Sequence, residues 1–258
     1  MPRIVAIANQ KGGVGKTTTT VNLAACLAMR EQNVLLIDMD PQSNATSGLG
    51  LDPRAQAETL YDGLIKGAPF GRLIQPTGVP RLMIIPASSD LVGAEVELVS
   101  VEDRERVLEK GLKPIADRFD VILIDCPPAL GFLTINALVA SSSVLVPVQC
   151  EYYAMEGLGR LMANVERVQS SLNPSLHLEG VLLTMFDARN TLARQVAEEI
   201  RAHFKERVYK TMIPRNVTLA EAPSYGKPAA LYNAASTGSQ AYVELAKEFA
   251  AHGEESAR

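Results

Sequence analysis

The sequence predicts an α/β fold built on a mostly parallel, twisted sheet with helices on both faces. Three observations predict it. Short apolar runs rich in β-branched residues recur along the 258 residues, longer amphipathic segments separate most of them, and a glycine-rich turn joins the first run to the first segment. Such runs read as strands buried on both faces, and parallel neighbours need crossover helices between them.

In chain order, Ile4–Ala8 is unbroken apolar sequence and forms the first strand, followed by a helix over Thr17–Arg30 and a second strand over Val34–Ile37. From Gly48 to Gly78, scattered Gly and Pro leave one short helical candidate, Thr59–Ile65, and this stretch reads as a surface excursion. Strands follow at Leu82–Ile85, Val121–Ile124, Val144–Val148, Val181–Met185 and Val208–Ile213. Helices are expected over Val101–Arg118, Phe132–Ala140, Gly157–Ser171, Thr191–Phe204 and Ser239–Ala251, with a polar, disordered tail over residues 252–258. No repeat or low-complexity linker interrupts the pattern, so one domain over residues 1–258 is expected.

Composition narrows the function classes. An apolar content of 47% is ample for a core, while a net charge of −4 gives no global attraction to nucleic acid, so DNA binding would need a local basic patch. Cys26, Cys126 and Cys150 are far apart with no C-x-x-C pair and read as buried, reduced thiols. No apolar run approaches the roughly 20 residues that span a bilayer. No leader is expected before the first motif, and a cytoplasmic protein is expected.

The turn after the first strand is Asn9-Gln10-Lys11-Gly12-Gly13-Val14-Gly15-Lys16-Thr17-Thr18. It matches the phosphate-binding pattern G-x-x-x-x-G-K-[ST] except that Gln10 replaces the first glycine and an extra lysine, Lys11, follows it. Glycines let backbone N–H groups turn toward a phosphate and the following helix adds its dipole, with Lys16 for the β- and γ-phosphates and the Thr17 hydroxyl for magnesium. Asp38-Met39-Asp40-Pro41-Gln42 places two carboxylates at the end of a strand, where open α/β sheets hold ligands; taken alone, a solvated acidic turn explains the pair equally well. Val121–Asp125 is four apolar residues closed by an acid, the form of a strand whose Asp holds magnesium directly or through water.

Lys11–Thr18 resembles the deviant phosphate loop of the ParA/MinD superfamily of ATPases, Asp38–Gln42 its second motif, and Ile122–Pro128 its Walker B segment. Leu183–Asp187, Ile213–Val217 and Glu221–Gly226 are similar to the short ParA or Soj proteins of chromosome and plasmid partition, and the likeness spans nearly the whole chain. The resemblance implies a three-layer P-loop NTPase fold that uses ATP and Mg2+. It implies a homodimer sandwiching two ATP molecules, with Lys11 reaching the phosphates of the opposite subunit. In that family pattern Gly12, Gly13, Val14, Gly15, Lys16, Thr17 and Thr18 cradle the nucleotide, Asp40 is the catalytic carboxylate, and Asp38 and Asp125 join Thr17 near the metal. Pro214 and Asn216 fall at the adenine, although a rigid turn explains Pro214 as well; Glu151 is a candidate for the ribose, or simply a solvated loop acid.

Between Arg189 and Lys227, eight Lys or Arg stand against four Glu. By composition this is a mixed solvated face. The resemblance turns it toward non-specific double-stranded DNA, with Arg189 and Arg215 as candidates, a nucleoid-associated protein, and a ParB/Spo0J-type centromere-binding partner that stimulates hydrolysis. No helix-turn-helix fits before Lys11, so sequence-specific operator binding is not expected. A MinD-like or flagellar spatial regulator is the alternative. The terminal helix lacks the basic amphipathic character of a membrane anchor and is read as docked on the body. An iron–sulfur reductase related to the nitrogenase iron protein is disfavoured by the positions of the cysteines.

Overall fold

Side chains alternate across each strand, and the two sets enter separate apolar layers. The computed structural model describes residues 2–256. The strands are β1 (Arg3–Ile7), β2 (Val34–Asp38), β3 (Gln75–Pro76), β4 (Leu82–Ile85), β5 (Val121–Asp125), β6 (Ser143–Gln149) and β7 (His177–Thr184). The helices are α1 (Lys16–Met29), α2 (Asn44–Gly48), α3 (Leu60–Ile65), α4 (Phe70–Leu73), α5 (Leu91–Glu97), α6 (Val107–Leu112), α7 (Phe132–Ala140), α8 (Ala154–Ser171), α9 (Thr191–Phe204), α10 (Val217–Glu221), α11 (Ala229–Tyr232) and α12 (Thr237–Ser256), with short 3-10 turns between some of them.

The sheet runs in the order β3-β4-β2-β5-β1-β6-β7, parallel throughout except for β3 against β4. On one face Val5, Ile7, Leu36 and Leu123 pack with Leu23 and Leu27 of α1 and Tyr242, Leu245 and Phe249 of α12. On the other, Ala6, Leu35, Ile37 and Ile124 pack with Leu133 of α7, Leu158 of α8 and Ile200 of α9. The last helix is therefore docked on the body, and Cys26, Cys126 and Cys150 are buried free thiols. No helix among the described residues is long and apolar enough to cross a membrane.

Four expectations about the elements are corrected. The segment Val208–Ile213 is not a strand: Val208 and Pro214 make only isolated bridges, to Val181 and Phe186. Between them, Lys210 N and Thr211 N donate to the Glu248 carboxylate of α12, at 2.6 and 2.9 Å, which takes those amides out of the ladder. The helix expected over Val101–Arg118 breaks into a 3-10 turn, α6 and a second 3-10 turn, because Pro114 brings no N–H and interrupts the helix. The stretch from Gly48 to Gly78 is no surface excursion, since Leu60, Leu64, Phe70 and Leu73 are buried in the core. Its α3 is started by a capping box in which Thr59 N donates to Asp62 Oδ2 at 2.7 Å. Finally, the expected disordered tail continues α12 as far as Ser256, with His252 stacked on Tyr209; residues 257–258 lie outside the described residues.

Candidate functional site

Strand order assembles the site. Because β5 lies between β1 and β2, Ile7 is in register with Asp125 and Asp125 with Asp38, so the glycine loop and both acids leave the same edge of the sheet side by side. The loop is pinned at its start by Asn9, whose Nδ2 donates to Pro147 O at 2.7 Å while its Oδ1 accepts from Lys11 N at 3.0 Å. It is pinned again at Val14, whose carbonyl accepts from the Thr184 hydroxyl at 2.8 Å. Gly15 enters α1 at a φ of 85°, in the left-handed region that a side chain would strain. The 14-residue α1 thus presents its N-terminus, and with it unpaired N–H groups, at the loop.

The two lysines of the loop differ. Lys16 is buried, and its Nζ donates to Lys11 O at 3.2 Å, so it folds back over the loop. Burial pushes its pKa down, against the pull of Asp125, Cys126 and Asp40. That leaves a cation for which an added anion relieves the cost of desolvation. Lys11 is about half exposed and pairs with Glu151, an acid from the β6–α8 connection. Glu151, a ribose candidate by sequence, is here the partner of Lys11.

The three acids also divide their work. Asp38 is fully buried and spends both oxygens on the protein: Oδ2 accepts from the Thr46 amide and hydroxyl at 2.8 and 2.7 Å, and Oδ1 from Asp40 N at 3.2 Å. Asp125 is equally buried, but Oδ1 accepts from the Thr20 hydroxyl at 2.9 Å while Oδ2 has no hydrogen-bond partner among the described residues. Burial raises the pKa of both, Asp38 further opposed by its Thr46 hydrogen bonds and Asp125 further raised by the charge of Asp38. An unpaired buried carboxylate oxygen beside threonine hydroxyls is a hard-oxygen donor set suited to Mg2+, and the residues present fit that ion. Asp40 is buried beside them and its Oδ1 accepts from Gln42 N at 2.9 Å.

A cleft of about 210 Å³ lies beside the loop, lined by Gly15, Thr18, Met185, Pro214, Asn216 and Tyr242 among others. It brings both predicted adenine residues to the loop. Asn216 Nδ2 donates to the Thr237 hydroxyl at 3.0 Å, and its Oδ1 has no partner within the described residues. The Glu221–Gly226 motif finds its use at Gly226: a Cβ there would lie 2.6 Å from Gly50 Cα, so the two backbones touch and the motif braces the segment after α2. Sequence reasoning missed Asn9, Thr20, Thr46 and Thr184. For Thr20 a signal existed, because it stands one helical turn after Lys16 and so on the same face of α1.

The expected basic patch is divided. Arg189 lies before the start of α9, 90% exposed, and makes a two-pronged bond to Asp187 at 3.0 and 2.8 Å that holds this acid well below the usual carboxylate range. Arg215 N donates to Phe186 O at 3.4 Å, next to Asp187, and the charge of Arg215 also lowers the pKa of that acid. Arg201, Lys205 and Lys210 gather instead at the other end of α9, with Glu206 and Glu248 among them. A 14-residue helix separates the groups, about 20 Å at 1.5 Å per residue.

A family model described as an AAA domain matches residues 2–178. The chain is 55% identical to the sporulation initiation inhibitor protein Soj of Bacillus subtilis over 98% of its own length and 100% of that protein's. It is 52% identical to the chromosome partitioning protein ParA of Myxococcus xanthus, covering 95% of this chain and 87% of that one. Among solved structures, cobyrinic acid a,c-diamide synthase from Mycobacterium smegmatis with bound ADP and magnesium matches with a TM-score of 0.86 and 35% identity, over 98% of this chain and 96% of that one. With the loop, the acids and the cleft beside them on a shared fold, the chain belongs to the ParA/Soj family of chromosome-partitioning ATPases.

Proposed function

We propose that the chain is an ATP-driven dimerisation switch for DNA segregation, a hydrolase of ATP that uses Mg2+. The observation that carries this reading is the contrast between the two lysines. Lys16 is committed to its own loop, whereas Lys11 sits outside the cradle on a half-exposed ion pair, where a second subunit can compete for it. ATP and Mg2+ supply, when bound, the transferable phosphoryl group and the neutralisation of its charge; the M. smegmatis neighbour has been solved with both ADP and an ATP analogue together with magnesium.

Lys16 and the loop from Gly12 to Thr18 bind the phosphates, Thr17 and Asp125 hold the metal, and Asp38 fixes α2 and orients the segment that carries Asp40. Asp40 orients the attacking water and draws on its proton. Pro214 and Asn216 flank the adenine, where an amide both donates to and accepts from a purine edge. Lys11 acts across the dimer as a lysine counterpart of an arginine finger. The ATP dimer holds double-stranded DNA without sequence preference through Arg189 and Arg215, doubled by the two-fold axis. A ParB/Spo0J-type partner stimulates hydrolysis and so releases it from the nucleoid.

The test compares binding of random duplex DNA with ATP and with ADP, alongside the oligomeric state. Wild type should be dimeric and bind only with ATP. Lys11→Ala should still bind nucleotide but remain monomeric and off DNA. Equal DNA binding in ADP and ATP would sink the switch.

A further inference from the structure

We propose that helix α5 and the hollow beside it form the docking surface for a basic, amphipathic segment of the stimulating partner, a proposal that rests on the partition reading above. Three observations meet there. The first is a broad hollow of about 800 Å³ whose walls include Pro41, Gln42, Ser43, Ser89 and Asp90, and whose cations, Arg54 and Lys66, are paired with Asp52 and Asp62. It therefore runs from the residues directly after Asp40 to the start of α5.

The second is an apolar stripe with nothing on it. Val92, Val96 and Val99 are 65, 74 and 54% exposed, and their spacing puts them on one side of α5 and the 3-10 turn that extends it. Three large aliphatic side chains in a row on a surface mark a contact site more often than solitary ones do. The charge around them selects the partner. Residues 89–105 hold six acids and one arginine. Of these acids, Asp103 is tied to Lys110 and Glu105 to Arg104, Asp90 acts on Lys66 by charge alone, and Glu102 takes part in no ion pair among the described residues. An apolar stripe edged by an excess of carboxylates complements a segment with apolar residues on one side and Lys or Arg on the other. A nucleic acid is repelled by the same edge.

The third observation connects the surface to the reaction. Glu95, on the same helix as the valines, accepts from Phe132 N at 2.7 Å and Leu133 N at 3.2 Å, the first two amides of α7. The loop from Cys126 to Gly131, which leads out of Asp125, is thus held at its far end by α5. Gly131 lies so close that a Cβ there would come within 2.3 Å of the Glu95 carboxylate. A segment seated on α5 and reaching into the hollow touches the Asp40 turn directly and the Asp125 loop through Glu95. Both acids of the reaction are then in reach of one bound partner.

The experiment uses the full chain and a purified ParB-type protein from the same organism, with DNA present, and measures phosphate release against partner concentration. Two double variants are compared with wild type: Val92→Ser with Val96→Ser, and Asp90→Asn with Glu102→Gln. All four side chains lie outside the nucleotide site, so basal hydrolysis and ATP-dependent DNA binding should stay within about twofold of wild type. The partner concentration for half-maximal stimulation should rise at least about tenfold for the valine variant. For the charge variant, stimulation should become markedly less sensitive to salt. Unchanged stimulation of both variants overturns the docking surface and leaves the partition reading standing. Loss of the ATP dimer in the valine variant assigns the stripe to a second copy of the chain and overturns the proposal. A partner that fails to stimulate wild type overturns the partition reading and the docking surface together.

Discussion

Lys11 and Lys16 belong to the same loop, and what separates them is burial: Lys16 is 7% exposed and bonded to the loop, while Lys11 reaches outward to Glu151. A buried cation is held for a ligand of its own chain, and a half-exposed one is free to change partners. The acids show the same logic. Removing the side chain of Asp40 should leave the ATP dimer intact, because its carboxylate supports only the Gln42 turn, and should slow turnover by at least about a hundredfold. Phosphate release and light scattering check the two halves separately, and wild-type turnover would refute the catalytic role. The pair Asp38 and Asp125 makes stability depend on pH. An acid whose pKa is raised on folding keeps a proton that the unfolded chain has already lost, so stability is highest at low pH and falls as pH rises through that interval. The interval runs from the ordinary 3.8 to about 6 for Asp38 and to about 8 for Asp125. The nucleotide-free protein should therefore lose Tm between about pH 4 and pH 8. Mg2+ with ATP should flatten the slope by putting a cation where the proton was, and Asp125→Asn should remove most of the fall above about pH 6. A slope unchanged in that variant would show that other groups set it.

At the scale of elements, long-range caps decide what periodicity does not. Helix α7 has no cap of its own at Gly131 and borrows Glu95 from α5. Glu95→Ala should cost about 1 kcal/mol, the usual worth of an N-cap acceptor. It should also speed hydrogen exchange at the Phe132 and Leu133 amides before any other part of the sheet; full protection there would mean that water replaces the carboxylate without loss. The Val208–Ile213 segment shows the opposite case. Its apolar residues promise a strand, and β7 offers an edge, but Glu248 takes two of its amides and the Tyr209 ring packs against Gly180, where a Cβ would meet it at 2.6 Å. A strand pattern states that a segment suits a sheet. It does not state that the neighbouring helix leaves the amides available.

The whole molecule brings charge and oligomeric state together. Asp187 neutralises Arg189 with a two-pronged bond, so Asp187→Asn should strengthen ATP-dependent DNA binding severalfold and steepen its fall with salt, the gain counting twice in a dimer. A titration at two salt concentrations checks it, and unchanged affinity would remove Arg189 from the interface. The sequence by itself determined the glycine turn and the helix that follows it, the strands β1, β2 and β4 to β7, and the acids that close β2 and β5, because each is written in residues within a turn or a strand of one another. Tertiary structure alone decided that Asp125 and not Asp38 keeps an unused oxygen, that Glu151 sits on Lys11 from 140 residues away, and that the basic residues part to the two ends of α9. The physical reason is range. Backbone conformation and strand or helix periodicity are local and leave a pattern in the chain, whereas a hydrogen bond or ion pair between distant segments depends on how the layers pack, which no spacing records.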